Sequence, residues 1–239
     1  MTNNKNLTNN LIIIGGGIMR RGEIEKIDRW ILKMVRDKKK IKNPKVLFVP
    51  SASEDLKEYV QDFTKRYINY GATVNSLFLI KKSPPQTKIK KSFINADLIF
   101  FGGGNAELLL ETFKKFDLES ICIKAVKNGA IIYGLSAGAI IWGKKFLTFD
   151  REKNKFVNYR IKNGLGWINS LIIPHFYPSM LKNKKILNLI RLNSDLKILT
   201  IGNGAAAYWK SELTPLFKKQ KRSSWGAHLS LKDLIRKYE

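Results

Sequence analysis

Short, nearly continuous apolar runs punctuate the chain, and several close on a glycine cluster. LIII (Leu11 to Ile14) runs into GGG, DLIFF (Asp97 to Phe101) into GGGN, and AIIY (Ala130 to Tyr133) into GLSAG. VLFV (Val46 to Val49), SLIIPHF and LKILTIG are of the same kind. Runs of four or five residues without polar alternation describe strands buried on both faces, which requires a sheet covered by helices on either side. The intervening segments have helical spacing: Ile24, Ile27, Ile31 and Met34 in one, Leu56, Val60, Phe63 and Tyr67 in the next. AELLLETFKKF, ESICIKAVKNG and LKNKKILNLIRL read as further helices, and Val74 to Ile80 as a strand. Ser51 and Glu54 have capping-box spacing, which predicts a helix start there. Lys144 to Ile161 is expected to be a hairpin or an active-site loop. Strands alternating with helices predict an α/β fold, a three-layer α/β/α sandwich with a mostly parallel sheet. Its ligand crevice should lie at the carboxyl ends of the strands.

With 239 residues, 44% of them hydrophobic, and neither repeat nor linker, the chain is expected to form a single domain over 1–239, with 1–10 a flexible segment. The polar start and the brevity of LIII argue against a signal peptide or a membrane span, so a cytoplasmic protein without a membrane partner is expected. Cys122 is the lone cysteine; it fits a reducing compartment and reads as a small buried apolar residue. The net charge of +25 comes mainly from lysines spread along the chain. The densest runs, Asp37 to Lys45 and Lys218 to Arg222, read as solvated, without zinc-finger spacing or an RNA-recognition aromatic motif. Weak, salt-sensitive association with polyanions is expected, but no specific nucleic-acid partner.

GLSAG, Gly134 to Gly138, has G-x-S-x-G spacing between a strand and an apolar run, the pattern of a nucleophile elbow. Flanking glycines let the turn be sharp enough to hold the Ser136 hydroxyl off the sheet edge. Backbone strain of roughly 1–3 kcal/mol is a cost that a purely structural turn has little reason to keep. The Ala137 amide would face an oxyanion. FFGGGNAELLL leaves bare amides at a strand end but lacks both the P-loop lysine and the third glycine of a dinucleotide motif, so it fits an oxyanion donor equally well. GGGIMR near the amino terminus reads as a structural turn. Of the two histidines, His175 follows a strand-like run and is the favoured base, with His228 in reserve.

Taken in order, VPSAS, FFGGGNAELL, GLSAGAI, GLGWI, IPHF and TIGNGAA resemble the aspartyl dipeptidase (dipeptidase E) and cyanophycinase family of serine peptidases, from about residue 10 to 210. The resemblance implies a fold related to class I glutamine amidotransferases (flavodoxin-like). Serine in place of their cysteine argues against amidotransfer. It implies Ser136 as nucleophile, His175 as base, and oxyanion amides from Gly103 and Ala137, with Gly104 and Asn105 beside them as substrate-binding positions. It also implies a third triad member between the serine and the histidine, where Asp150 is preferred for its spacing and Glu152 is the alternative. Two departures stand out. Asn203 occupies the segment where the family usually carries an acidic residue, and LIIPHFYPSMLKNKK lacks the acidic residue and arginines of cyanophycinases. The expectation is a peptidase of small peptides, needing neither metal nor cofactor. An esterase or amidase on the same serine, a catalytically inactive or polyanion-binding member of the fold, and a homodimer are left open.

Overall fold

In the computed structural model, residues 10–152, 155–209, 213–217 and 233 are described. His228 and the Lys218–Arg222 run lie outside them, as do residues 1–9.

The chain opens with β1 (Leu11–Ile14), α1 (Glu25–Lys39), β2 (Lys45–Val49), α2 (Lys57–Asn69) and β3 (Thr73–Ser76). It continues through α3 (Gln86–Ile94), β4 (Leu98–Phe101), α4 (Ala106–Phe116), α5 (Leu118–Lys127), β5 (Ile131–Leu135) and α6 (Ala137–Ile140). A hairpin of β6 (Gly143–Glu152) and β7 (Lys155–Asn163) leads to β8 (Ile168–Pro174), α7 (Lys184–Arg191), β9 (Lys197–Ile201), β10 (Ala206–Trp209) and β11 (Leu213–Phe217). One sheet runs β11-β10-β1-β5-β4-β2-β3, the other β7-β6-β8-β9. In the first, β1, β5, β4, β2 and β3 pair in parallel, while β10 and β11 add an antiparallel edge.

Strand alternation divides the core into two layers. Leu11 and Ile13 pack with buried residues of α3, α4 and α5 on one face. Ile12 and Ile14 pack with Ile27, Ile31 and Val35 of α1 and Phe63 and Tyr67 of α2 on the other. A sheet covered on both faces is the three-layer arrangement that the continuous apolar runs predict. The second sheet has its own core, where Leu171, Ile173 and Ile198 meet Ile186 and Ile190 of α7.

Several sequence expectations are corrected. Ser51 is buried in a short 3-10 turn and Glu54 takes a left-handed conformation, so α2 starts at Lys57 with no side-chain cap. The strand expected over Val74 to Ile80 is shorter and earlier, at Thr73–Ser76. The helix behind GLSAG is a single turn of four residues. It is too short for an extended dipole, and the Gly138, Ala139 and Ile140 amides are already paired with Gly102 and Ser136 carbonyls. Cys122 is fully buried, and burial pushes its thiol well above the ordinary value, which agrees with a packing role.

Candidate active site

Parallel pairing brings three separated segments to one edge. β1 pairs with β5 so that Ile14 faces Leu135, and the Ser136 amide then donates to the Ile14 carbonyl at 2.9 Å. Ser136 itself adopts φ 53° and ψ −108°, a conformation that side chains other than glycine rarely take. The neighbouring glycines make this turn possible by close approach. A Cβ on Gly134 would lie 2.0 Å from the Gly138 carbonyl oxygen, and one on Gly138 would lie 2.1 Å from that of Phe101. The small residues therefore serve packing and presentation together.

In the second sheet, Pro174 at the end of β8 faces Ile201 at the end of β9, so His175 and Asn203 leave adjacent strand ends. Ser136 Oγ lies 2.5 Å from His175 Nε2. His175 Nδ1 lies 2.9 Å from Asn203 Oδ1. With the amide oxygen on that side, Nδ1 carries the proton and donates it, and Nε2 is left as the acceptor facing the serine. A Cβ on Gly16 would fall 2.3 Å from both Asn203 Oδ1 and His175 Nδ1. The first glycine cluster, read from sequence as a structural turn, is thus what lets this pair approach β1.

Asp150 does not reach His175. Its carboxylate accepts from Arg160 at 2.8 and 3.0 Å and from Asn158 at 3.0 Å. These bonds, Arg160 first, hold its carboxyl pKa down at about 2. Glu152 is exposed at the end of β6. The position expected of Asp150 is taken by Asn203. The reason is topological: the imidazole's second nitrogen faces the neighbouring parallel strand, β9, and not the hairpin that follows the serine in sequence.

Gly103 lies against the serine, since its Cβ would be 3.4 Å from Ser136 Cβ. Its amide is 3.5 Å from the Tyr59 hydroxyl, long for a hydrogen bond. Ala137 is the first residue of α6, where an amide has no intrahelical acceptor. Gly104 lines the same cavity as Ser136. Asn105 does not: its side chain accepts from the Glu107 and Leu108 amides as the cap of α4, and it borders a neighbouring cleft. The cavity at the serine measures about 790 Å³ and also takes in Met19, Arg20 and Arg21, Glu58, Tyr59 and Asp62, and Phe149 and Phe156. Arg20, Arg21, Glu58 and Asp62 make no side-chain hydrogen bond or ion pair among the described residues. Among those residues no group of three His, Cys, Asp or Glu is placed to hold a metal ion. No described helix is long and apolar enough to cross a membrane.

A serine on a strained strand-to-helix turn, facing an imidazole at the carboxyl edge of a three-layer α/β fold, defines a protein of the serine-hydrolase class. The model of peptidase family S51 matches residues 11–213, and the chain belongs to that family. It is 33% identical over 162 residues to the uncharacterized peptidase YgaJ of Bacillus subtilis, and 29% identical over 138 residues to the uncharacterized peptidase Lmo0363 of Listeria monocytogenes. These matches take in 68% and 55% of this chain, and span 66% and 65% of the relatives' own lengths. Two solved structures share the fold. A candidate peptidase E protein from Listeria monocytogenes gives a TM-score of 0.62 at 20% identity, covering 88% of this chain and 98% of that one. A peptidase from an acI-B1 Actinobacterium gives 0.66 at 18% identity, covering 92% of this chain and 96% of that one.

Proposed function

We propose that the chain is a serine peptidase that hydrolyses small peptides through an acyl-enzyme on Ser136. The observation that carries this is the 2.5 Å contact between Ser136 Oγ and His175 Nε2, with the other ring nitrogen held at 2.9 Å by Asn203. His175 takes the serine proton as Oγ bonds to the peptide carbonyl carbon, and the Gly103 and Ala137 amides receive the oxyanion. His175 then passes that proton to the leaving nitrogen as the C–N bond breaks. Water, deprotonated by the same imidazole, releases the acyl group. The cavity size suits a small ligand. Its charges of both signs, Arg20 and Arg21 with Glu58 and Asp62, unpaired among the described residues, are complementary to the two charged ends of a short peptide. Fluorophosphonate labelling followed by a dipeptide library tests the reading. A single adduct on Ser136 and release of free amino acids are expected; cleavage that persists unchanged after complete labelling would overturn it.

Asn203 orients the ring but lends it no negative charge. In Asn203→Asp a carboxylate beside Nδ1 favours the imidazolium, so the acid limb of the kcat/KM profile moves up by roughly 1–2 pH units. Turnover above that limb rises about tenfold as the imidazolium formed during acylation gains a counter-charge. A pH–rate profile in which the acid limb fails to move would remove Asn203 from contact with the base.

A further inference from the structure

We propose that Phe149 and Phe156 of the β6–β7 hairpin form an apolar wall beside His175 that selects an apolar residue on the amine side of the bond to be cut. This rests on the peptidase reading of the Ser136 site. The two rings pack against each other, tilted by 33° with centroids 4.1 Å apart, and they lie 5.6 and 5.5 Å from the imidazole centroid. Both are half-buried, both line the cavity, and neither belongs to a hydrophobic core cluster of the fold. The hairpin register shifts between Thr148 and Asp150, at Phe149, and irregularities of this kind re-aim side chains beside sites. Arg160 pairs with Asp150 at 2.8 Å and with Glu107 of α4 at 3.5 Å, and Lys162 pairs with Glu107 at 3.0 Å. This clasp fixes the hairpin to the helix that follows the Gly103 loop. It also leaves Asp150 and Arg160 paired with each other, so neither offers a free charge to a substrate.

The chemistry decides which part of the substrate meets these rings. Nε2 must come within hydrogen-bond reach of the departing nitrogen to protonate it, so the residue carrying that nitrogen lies on the imidazole side. An aliphatic or aromatic side chain there covers the exposed faces of both phenyl rings. A carboxylate or ammonium there would lose hydration without gaining a partner.

The test holds the acyl residue constant in Ala-Phe, Ala-Leu, Ala-Asp and Ala-Lys. Wild-type kcat/KM for the first two should exceed the last two about tenfold or more, and Phe149→Ala/Phe156→Ala should compress that ratio by roughly the same factor. A uniform fall with the ratio intact means that the rings merely pack on His175, and overturns the wall, as does a wild-type ratio near one. Phe156→Leu, which keeps an apolar side chain without the ring, supplies the comparison if the double variant misfolds, and should keep Ala-Phe and Ala-Leu above Ala-Asp and Ala-Lys; loss of that order would overturn the wall. Acyl capture separates this proposal from the peptidase reading. The acetyl-enzyme made from p-nitrophenyl acetate transfers its acetyl group to an added amine, forming an amide and freeing the Ser136 hydroxyl. Phenylalaninamide should capture it about tenfold better than the α-amide of aspartate. Selective capture without peptide cleavage defeats the peptidase reading and keeps the wall; unselective capture defeats the wall. Absence of a Ser136-dependent p-nitrophenol burst defeats both.

Discussion

Ser136→Ala is expected to lower kcat by roughly four to six orders of magnitude while the protein stays folded. The two halves of this result have separate causes. In the proposed mechanism Oγ is the atom that bonds to substrate, and His175 Nε2 lies 2.5 Å from it. On that mechanism, removing it leaves the Gly103 and Ala137 amides to polarise a carbonyl but nothing to attack it, so only the residual acceleration of an oxyanion site over water is expected to remain. The fold is indifferent because what anchors the turn is backbone. The Ser136 amide donates to the Ile14 carbonyl, the Gly138 amide to that of Gly102 at 3.2 Å, and the Ala139 amide to that of Ser136 at 2.9 Å. Alanine suffers the same strain at φ 53° as serine does. Its thermal midpoint should therefore stay within a few degrees of wild type, whereas Ser136→Gly, which relieves the strain, should melt above Ser136→Ala. Dipeptide turnover by chromatography and a calorimetric melt on the same preparations check both halves. Wild-type turnover by Ser136→Ala would leave the serine without a role in the chemistry.

The features legible in the sequence are those that depend on one segment at a time. LIII, VLFV, DLIFF and AIIY form strands because each is apolar on both faces, and Gly134 and Gly138 flank the serine because a Cβ at either would strike backbone. Where a feature depends on two segments meeting, the sequence is silent. Asp150 is close to the serine along the chain, yet Nδ1 of His175 faces the turn after β9. Only the pairing of Pro174 with Ile201 makes Asn203 its partner. The clue was present as a departure, an amide where the family usually carries an acid. The Gly16 contact is hidden in the same way, since its neighbours come from β8 and β9. α3 is missed for a different reason. It is nine residues long, rich in lysine, and buries only Ile89 and Phe93, too few apolar positions to establish a helical period. β10 is inconspicuous because AAYW pairs at the sheet through small residues.

Stability is expected to fall as pH rises from about 4 to about 7, and Asp28→Asn should abolish most of that fall. Asp28 lies on α1, fully buried. The Tyr67 hydroxyl donates to its Oδ1 at 2.8 Å and the Tyr133 hydroxyl at 2.7 Å, while Oδ2 has no hydrogen-bond partner. Desolvation pushes its carboxyl up to about 7; the two tyrosine hydroxyls and the Arg66 charge pull the other way, and Glu25 adds to the rise. The folded state therefore holds a proton that the unfolded chain, titrating near an ordinary 3.8, releases earlier. A group raised on folding contributes stability that is fully present below the unfolded value and lost by the time pH passes the folded one, so the window is about 4 to 7. The gap corresponds to about 4 kcal/mol at most. Asparagine keeps an acceptor for both hydroxyls and carries no charge at any pH, so its urea midpoint should change far less than that of wild type between pH 5 and 8. Parallel declines in the two proteins would assign the pH dependence to other groups. The consequence reaches the site through β5, which carries Tyr133 three residues before Ser136. Asp28 ionises beneath the strand that leads into the serine turn, so Asp28→Asn is expected to widen the upper pH range over which activity survives heating.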